Sequence, residues 1–429
     1  EHPCEARCRR NMVDDSINIR GLKRVAADFA GEVDPPQCAP STGKKIAILG
    51  GGPGGLSAAY YLQLMGHQTT VYEMLPELGG MLRYGIPNYR LPKERLDDDI
   101  RAILKTGVQV KNGLKIGQDI TIQELRQQYD VVLITIGAST DKKLGLENED
   151  ADGIISAVQF LRNVGKNQII DLTGKEVVVI GGGNVSMDAV RTAKRLGAKK
   201  VSIVYRRRVA DMTALPGEIE GAVAEGIELQ TLKAPASIDV DENHHVKGIY
   251  VTPQMVSSIR DGRASIKPTG EEDIYIPCDV LIVAIGQNIE THHFEQAGIP
   301  VERGKIITKS TGAFENLPGV FAGGDCASGP ASVIKAIAAA KVVAANIDEY
   351  LGYSHVIRVD VDIPMPSLES MPPCGRVNLR ERDAAKRCHD FDLMEIGMNE
   401  KEIQQESSRC LRCDYYGYGI FKGGREDEW

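Results

Sequence analysis

Two glycine-rich turns of the same kind constrain this 429-residue chain more than any other feature. The first lies in KKIAILGGGPGGLSAAYYLQLMGHQTTVYE, Lys44–Glu73, and the second in KEVVVIGGGNVSMDAVRTAKRLGAKKVSIVYRRR, Lys175–Arg208. Each reads as a short apolar strand, a glycine turn, a helix and a second apolar strand. That order specifies a Rossmann-like unit. Two such units in one chain imply two dinucleotides, with electrons passing between them.

The first unit follows its template closely. Lys45–Leu49 is a buried type of strand, and Gly50, Gly52 and Gly55 supply the G-x-G-x-x-G spacing. Gly50 allows the tight turn, Gly52 lets backbone approach a pyrophosphate, and Gly55 lets helix pack on strand. Pro53 and Gly54 open the helix, whose free N–H groups and partial positive charge suit phosphates. Glu73 ends the second strand about twenty residues on, where a carboxylate accepts from ribose hydroxyls.

The second unit departs from the template twice. Gly181 and Gly183 keep the first two glycines and precede Asn184 and Val185, but Ser186 takes the third position, so closer packing is given up there. The strand Val201–Tyr205 then runs into Arg206, Arg207 and Arg208 instead of an acid. A guanidinium binds phosphate oxygens in a planar fork, whereas a carboxylate repels a 2′-phosphate. The expected coenzyme is NADP(H), with Arg206 and Arg207 as its readers; the alternative is a merely solvated basic strand end.

Two strand–turn pieces, VVLITIGA at Val131–Ala138 and DVLIVAIGQ at Asp279–Gln287, repeat one pattern and carry Gly137 and Gly286. GVFAGGD at Gly319–Asp325 is a strand ending in a glycine pair and an aspartate, leading into an alanine-rich helix expected over Ala331–Ile347. This layout resembles the two-dinucleotide flavoproteins, in which a nucleotide domain is inserted into an FAD domain. The resemblance implies that the two strand–turn pieces are the domain crossings. It also places Gly324 and Asp325 against the flavin's ribityl or pyrophosphate portion.

The segment LGGMLRYGIPNYRLP, Leu78–Pro92, narrows the match. It is similar to the segment after the FAD turn in the glutamate synthase small-subunit-like FAD/NADPH oxidoreductases. Their relatives include the large subunit of NADH-dependent ferredoxin–NADP oxidoreductase, the N-terminal part of dihydropyrimidine dehydrogenase, and flavin modules fused to hydrogenase or formate dehydrogenase subunits. The resemblance runs from Pro3 to Cys413. It implies that Gly80, Leu82 and Arg83 lie beside FAD, with Arg83 near the pyrophosphate or the flavin.

The nine cysteines concentrate at the chain ends. Cys4 and Cys8, in HPCEARCRR, resemble the end of the family's double-cluster segment, where earlier cysteines complete [4Fe–4S] clusters of four thiolates each. The expectation is a ligand pair completed by an upstream region of a larger polypeptide. Cys410 and Cys413 form a C-x-x-C after a helix expected over Glu400–Arg409, and Cys374 and Cys388 share that tail. Four thiols suit a zinc ion or an iron–sulfur cluster; a two-cysteine share of a site completed elsewhere, or plain thiols, are the alternatives. No C-x-x-C adjoins either glycine turn, so a redox dithiol beside the flavin is not expected. Cys326, following Asp325, is the one thiol placed near it.

The expected organisation is a cluster-end segment and linker over 1–43, with Ser16 capping a helix Ile17–Phe29. The FAD domain then spans 44–150 and 285–352 around an NADP(H) domain at 151–284, and a cysteine-bearing tail covers 353–429. A polar stretch, Ser237–Ile274, reads as a β-hairpin excursion. A net charge of −8 argues against nucleic-acid binding. No apolar run is long enough to span a membrane, and free thiols suit the reducing cytoplasm. The expected partners are iron–sulfur subunits or upstream domains, with ferredoxin as one acceptor. The expected activity is hydride exchange between NADP(H) and FAD, followed by single-electron exchange with the clusters. No motif decides whether the flavin bifurcates electrons, and a nucleotide-binding regulatory subunit is the competing class.

Overall fold

A computed structural model describes residues 2–168, 170–357 and 374–413. Both glycine turns sit at the carboxyl ends of strands in two parallel sheets of matching order. The first sheet runs Val320–Ala322, Val131–Ile134, Lys45–Leu49, Gln68–Glu73, Gln109–Asn112. The second runs Ile154–Ser156, Val280–Val283, Glu176–Ile180, Lys200–Tyr205, Glu228–Thr231. The central strands are apolar at nearly every position because parallel sheets are covered on both faces. Ile46, Ile48, Val71 and Leu133 pack under the Pro53–Leu64 and Val333–Tyr350 helices.

The second sheet is covered differently. Its helices bury one face, while Val178, Ile180, Val204 and Leu281 pack on the other against Ile238, Ile249, Val251 and Ile276. Those last four belong to an antiparallel sheet of Lys233–Val240, Val246–Arg260, Arg263–Pro268 and Ile274–Pro277. The expected hairpin excursion is therefore a four-stranded layer that closes a face of the second unit. The two crossings between units, Thr140–Asp141 and Gln287–Asn288, pair with each other antiparallel.

Helix starts differ from expectation where a better cap lies nearby. Ser16 does not cap the N-terminal helix. That helix is Ile19–Phe29, and Asn18 Oδ1 accepts from the Gly21 N–H at 2.9 Å. Ser16 Oγ instead accepts from Arg376 at 2.6 Å. The alanine-rich helix spans Val333–Tyr350, and the helix before the last two cysteines is Glu400–Ser408, with Asn399 in a capping box.

The tail has little regular structure, yet buried ions fix it to both units. Glu225 accepts from Arg191 at 2.6 Å, Arg195 at 2.6 Å and Arg387 at 2.8 Å. Arg90, in the segment after the first turn, pairs with Asp188 at 2.8 Å and Glu218 at 3.0 Å. Tyr89 is fully buried under the Arg195 guanidinium, 3.9 Å from the ring centre. First unit, second unit and tail thus share one charge cluster. Burial raises the Glu225 carboxyl, but hydrogen bonds from Arg195 and Arg191 outweigh it and hold it at about 2.

Candidate functional site

The first turn is shaped by what its glycines must clear. Gly50 has a φ of 111°, and a Cβ there would stand 2.5 Å from the Thr135 carbonyl. A Cβ on Gly55 would stand 1.9 Å from the Gly50 carbonyl, so the helix can approach the strand only without one. Gly52 is different: its nearest neighbour would be Gly80 Cα, at 3.8 Å. Protein packing does not require glycine at 52. The space a side chain would fill lies in the cleft, as a backbone-bound phosphate needs. Gly52 is also the N-cap of Pro53–Leu64 and offers no side-chain cap, so the first-turn N–H groups are unspent.

Around this turn a single cleft gathers Gly50, Gly52, Pro53, Gly54, Glu73, Gly80, Gly137, Gly324 and Asp325. Glu73 is buried, and its two oxygens accept the Gly51 N–H at 2.7 Å and the Leu75 N–H at 2.8 Å. Burial pushes its carboxyl up while those backbone donors pull it down, and the net direction is up. Burial likewise raises Asp325, against the Ala331 N–H.

Two expected residues turn away from the cleft. Arg83 is buried and donates to Leu78 O at 2.6 Å, to Glu77 at 2.9 Å and to Asp97. Its guanidinium ties the loop to the Lys93–Leu104 helix and is not among the residues that line the cleft, where it was expected beside pyrophosphate or flavin. Leu82 packs against the apolar core. Cys326 is buried close to the cleft, with its thiol donating to Gly323 O at 3.2 Å, and burial pushes it up to about 12. A thiol so protonated is packing.

Arg162 was not anticipated. It lies on Ala157–Gly165 in the inserted unit, yet lines the first cleft. Nη2 donates to Ser139 O at 2.6 Å, while the buried Nε has no partner. A buried donor without a partner is costly, and this one borders a cleft otherwise rich in open backbone. The only sign in the sequence is an arginine interrupting the apolar run AVQFLRNVG. Thr135 was also missed: its hydroxyl bonds Leu49 O at 3.1 Å and holds the first turn to the neighbouring strand.

The second turn repeats the geometry with different chemistry. Gly181 has a φ of 147°, and its Cβ would meet the Ala284 carbonyl at 2.3 Å. Gly183 is the uncapped N-cap of Asn184–Arg195, and a Cβ there would meet nothing closer than Thr213 Oγ1 at 3.4 Å. Ser186 is fully buried, and its hydroxyl donates to Ala284 O at 3.4 Å. Asn184 Oδ1 accepts from the Leu215 N–H at 3.0 Å, and Val185 packs against the core. Gly286, at the second crossing, has a φ of 136° and accepts from the Lys142 N–H at 3.3 Å.

The three arginines divide their tasks. Arg208 pairs with Asp211 at 2.8 Å, and Arg207 Nε donates to Ala264 O at 3.1 Å. Arg206 is exposed at the strand end and enters no hydrogen bond or ion pair among the described residues. Of the three, Arg206 has its whole fork available.

The cysteines split as well. Cys388 is buried, and its thiol donates to Ala385 O at 3.6 Å, in the segment whose Arg387 reaches Glu225. Cys374 instead lies against the last helix, 3.7 Å from Gln405 O. Of the expected set Cys374, Cys388, Cys410 and Cys413, Cys388 thus stands beside the buried ions and Cys374 against the last helix. Cys4 lies in the short Pro3–Ala6 helix, and Cys8 at the N-cap position of the Arg9–Met12 turn that follows.

The model of the pyridine nucleotide-disulphide oxidoreductase family matches residues 44–340. The chain is 35% identical to the NADP(+)-dependent formate dehydrogenase subunit beta of Moorella thermoacetica, over 99% of this chain and 66% of that protein. It is 35% identical to the NADPH-Fe(3+) oxidoreductase subunit beta of Geobacter sulfurreducens, over 96% of this chain and 68% of the relative. Identity is 34% to the small chain of Escherichia coli NADPH glutamate synthase, over 81% and 78%. The chain thus spans about two thirds of the length of the first two. Among solved structures, Mycobacterium tuberculosis FprA in complex with NADPH shares the fold, with a TM-score of 0.64 at 20% identity over 72% of this chain and 85% of that one. Thioredoxin reductase of T. acidophilum matches with a TM-score of 0.55 at 20% identity, over 71% of this chain and 98% of that one. Twin parallel sheets, twin glycine turns and this identity along the chain make it an oxidoreductase that belongs to the pyridine nucleotide-disulphide oxidoreductase family.

Proposed function

We propose that the chain binds FAD in the first cleft and NADP(H) at the second turn, and passes hydride between them. The observation that carries this reading is the pairing of two unspent glycine N-caps, Gly52 and Gly183, on matching sheets whose crossing strands join each other. Bound FAD supplies the two-electron to one-electron conversion. The chain's own residues bind and orient. The N–H groups after Gly52 face the pyrophosphate, Glu73 the ribose, and Gly324 and Asp325 the flavin-side chain. The free Nε of Arg162 supplies a donor from the inserted unit. At the second turn the N–H groups after Gly183 take the pyrophosphate, and Arg206, assisted by Arg207, takes the 2′-phosphate. No side-chain acid or base is needed for hydride transfer, and none is assigned.

Three relatives are subunits or chains of larger redox enzymes by name, and two carry NADPH in theirs. We extend this to the chain: electrons leave singly, to iron–sulfur centres of its own polypeptide or of partner subunits. A reducing cytoplasm suits the nine cysteines, none of which forms a disulfide. No helix among the described residues is long and apolar enough to cross a membrane. Anaerobic NADPH added to the FAD-loaded protein tests the reading. The visible flavin band is expected to bleach with NADPH and far more slowly with NADH; a flavin left oxidised by both overturns it.

A further inference from the structure

Among the described residues, the buried carboxylates outside the first cleft are matched to arginines, with one exception. Glu5 pairs with Arg376, Asp188 with Arg90, Asp211 with Arg208, Glu406 with Arg409, and Glu225 with Arg191, Arg195 and Arg387. The exception is Asp348, whose ion-pair partners among the described residues are two histidines, His67 and His355. Its side chain is only 3% exposed and lies near the end of the Val333–Tyr350 helix. A buried carboxylate needs a countercharge, and an imidazole supplies one only when protonated.

The three side chains converge on one point. His67 Nε2 stands 2.9 Å from Asp348 Oδ1, and His355 Nδ1 stands 2.7 Å from the same oxygen. All three atoms lie within 4.8 Å of one another, the one such gathering of three or more potential metal ligands among the described residues. Their surroundings fix how they face. Asp348 Oδ2 accepts the His355 N–H at 2.7 Å, which leaves Oδ1 for the two rings. Thr42 Oγ1 stands 2.8 Å from His67 Nδ1 and 3.2 Å from the Gly66 carbonyl. With the ring proton on Nδ1, that hydroxyl accepts from His67 and donates to Gly66, and the Nε2 lone pair points to Asp348. Tyr353 stacks on the His355 ring, with centroids 5.4 Å apart and planes 20° apart, and its hydroxyl donates to the Thr42 carbonyl at 3.3 Å. Such partners, which set tautomer and ring orientation, are what surrounds the ligands of a metal site.

We propose that His67 Nε2, Asp348 Oδ1 and His355 Nδ1 bind a zinc ion, with water as the fourth ligand. Zinc holds nitrogen and oxygen at about 2.0–2.2 Å, so tetrahedral ligand atoms stand about 3.3 Å apart. The present contacts need to open by only about half an ångström to admit the ion. Two imidazoles and a carboxylate suit zinc over magnesium or calcium, which take oxygen ligands, and zinc stands above iron(II) in affinity for such donors. The His67 side chain is closed to solvent and that of His355 is 27% exposed, so the ion and its water enter from the His355 side. The ion neutralises Asp348 with both rings uncharged. Its place makes it a staple. It joins the residue before the Gln68–Glu73 strand to the last turns of Val333–Tyr350. The far ends of these two elements carry Glu73 and Ala336 into the first cleft. The site is separate from that cleft and does not depend on the hydride reading.

Zinc titration of the intact chain, stripped with a chelator beforehand, tests the proposal. The nine cysteines can also take zinc, so the readout is the difference between the parent and His355→Gln. The parent is expected to bind about one zinc per chain more than this variant, and zinc should raise the thermal midpoint of the parent but not of His355→Gln. Cobalt(II) in place of zinc should give a visible band that depends on His355 and carries no thiolate charge transfer. Thr42→Val keeps all three ligands and removes only the hydroxyl behind His67, so it should weaken zinc about tenfold to a hundredfold. Equal zinc uptake and an equal thermal shift in the parent and His355→Gln would overturn the proposal. So would a His355-dependent cobalt band with thiolate character, magnesium displacing zinc at comparable concentration, or an unchanged zinc affinity in Thr42→Val.

Discussion

The two glycine turns solve one packing problem in opposite ways. In the first, the helix carries no side chain at Gly55, and the hydroxyl that bridges turn and strand comes from Thr135 on the strand. In the second, the strand carries Ala284, and the hydroxyl comes from Ser186 on the helix. The third glycine of the motif is therefore dispensable where the opposite strand gives up its own hydroxyl. The units also differ in their anchoring. The first rests helix on helix, Pro53–Leu64 along Val333–Tyr350, through alanines and aliphatics. The second is held by Glu225, Asp188 and Glu218 against four arginines.

The largest effect should come from breaking that ionic anchor. Glu225→Ala leaves Arg191, Arg195 and Arg387 without their shared acceptor and should cost about 3–5 kcal/mol in denaturant unfolding. The same carboxylate sets a pH dependence. Its folded pKa of about 2 lies below its ordinary 4.5. Its contribution is therefore complete above about 4.5 and is lost as pH falls through about 2. Thermal midpoints of the parent should fall across that window, and Glu225→Gln should flatten that part of the profile. A parallel shift of the whole curve would contradict the assignment.

Gly55→Ser sharpens the comparison of the turns. The new Cβ, 1.9 Å from the Gly50 carbonyl, should cost about 3 kcal/mol and lower flavin content. Serine tolerated there as it is at 186 would refute the hydroxyl-exchange account. Arg206→Glu should raise the NADPH KM about tenfold to a hundredfold, as a charge-assisted contact worth roughly 1.5–3 kcal/mol is lost. Arg208→Ala, whose partner is Asp211, should leave that KM near the parent's. The smallest effect is Ser186→Ala, which removes one hydrogen bond to Ala284 and should cost about 1 kcal/mol.

Both sheets and their glycine turns were legible in the sequence because each rests on local rules: apolar strands, glycine spacing, small-residue turns. Glu73 entered the cleft by the same logic, whereas Asp325 was placed there by the family resemblance of GVFAGGD. What escaped depends on contacts between distant segments. Arg83 reads as a free cation beside a glycine loop, but Asp97, a turn into the next helix, claims it. Arg162 reads as part of the other domain, and its bond to Ser139 O and the packing of Gly165 against the Arg83–Tyr84 backbone bring it to the first cleft. Three consecutive arginines read alike until Ala264 and Asp211, from a separate sheet and turn, occupy two of them. Cys388 shares a tail with Cys374 in sequence, while Arg387 carries it to Glu225.

The assignment of one dinucleotide to each turn is tested most directly by purifying Gly52→Val and Gly183→Val side by side. Both positions leave room for a Cβ, so both proteins should fold. Gly52→Val should emerge colourless. Gly183→Val should carry full FAD that dithionite bleaches and NADPH does not. A yellow Gly52→Val that NADPH reduces normally, or a Gly183→Val that loses its flavin, would contradict the assignment.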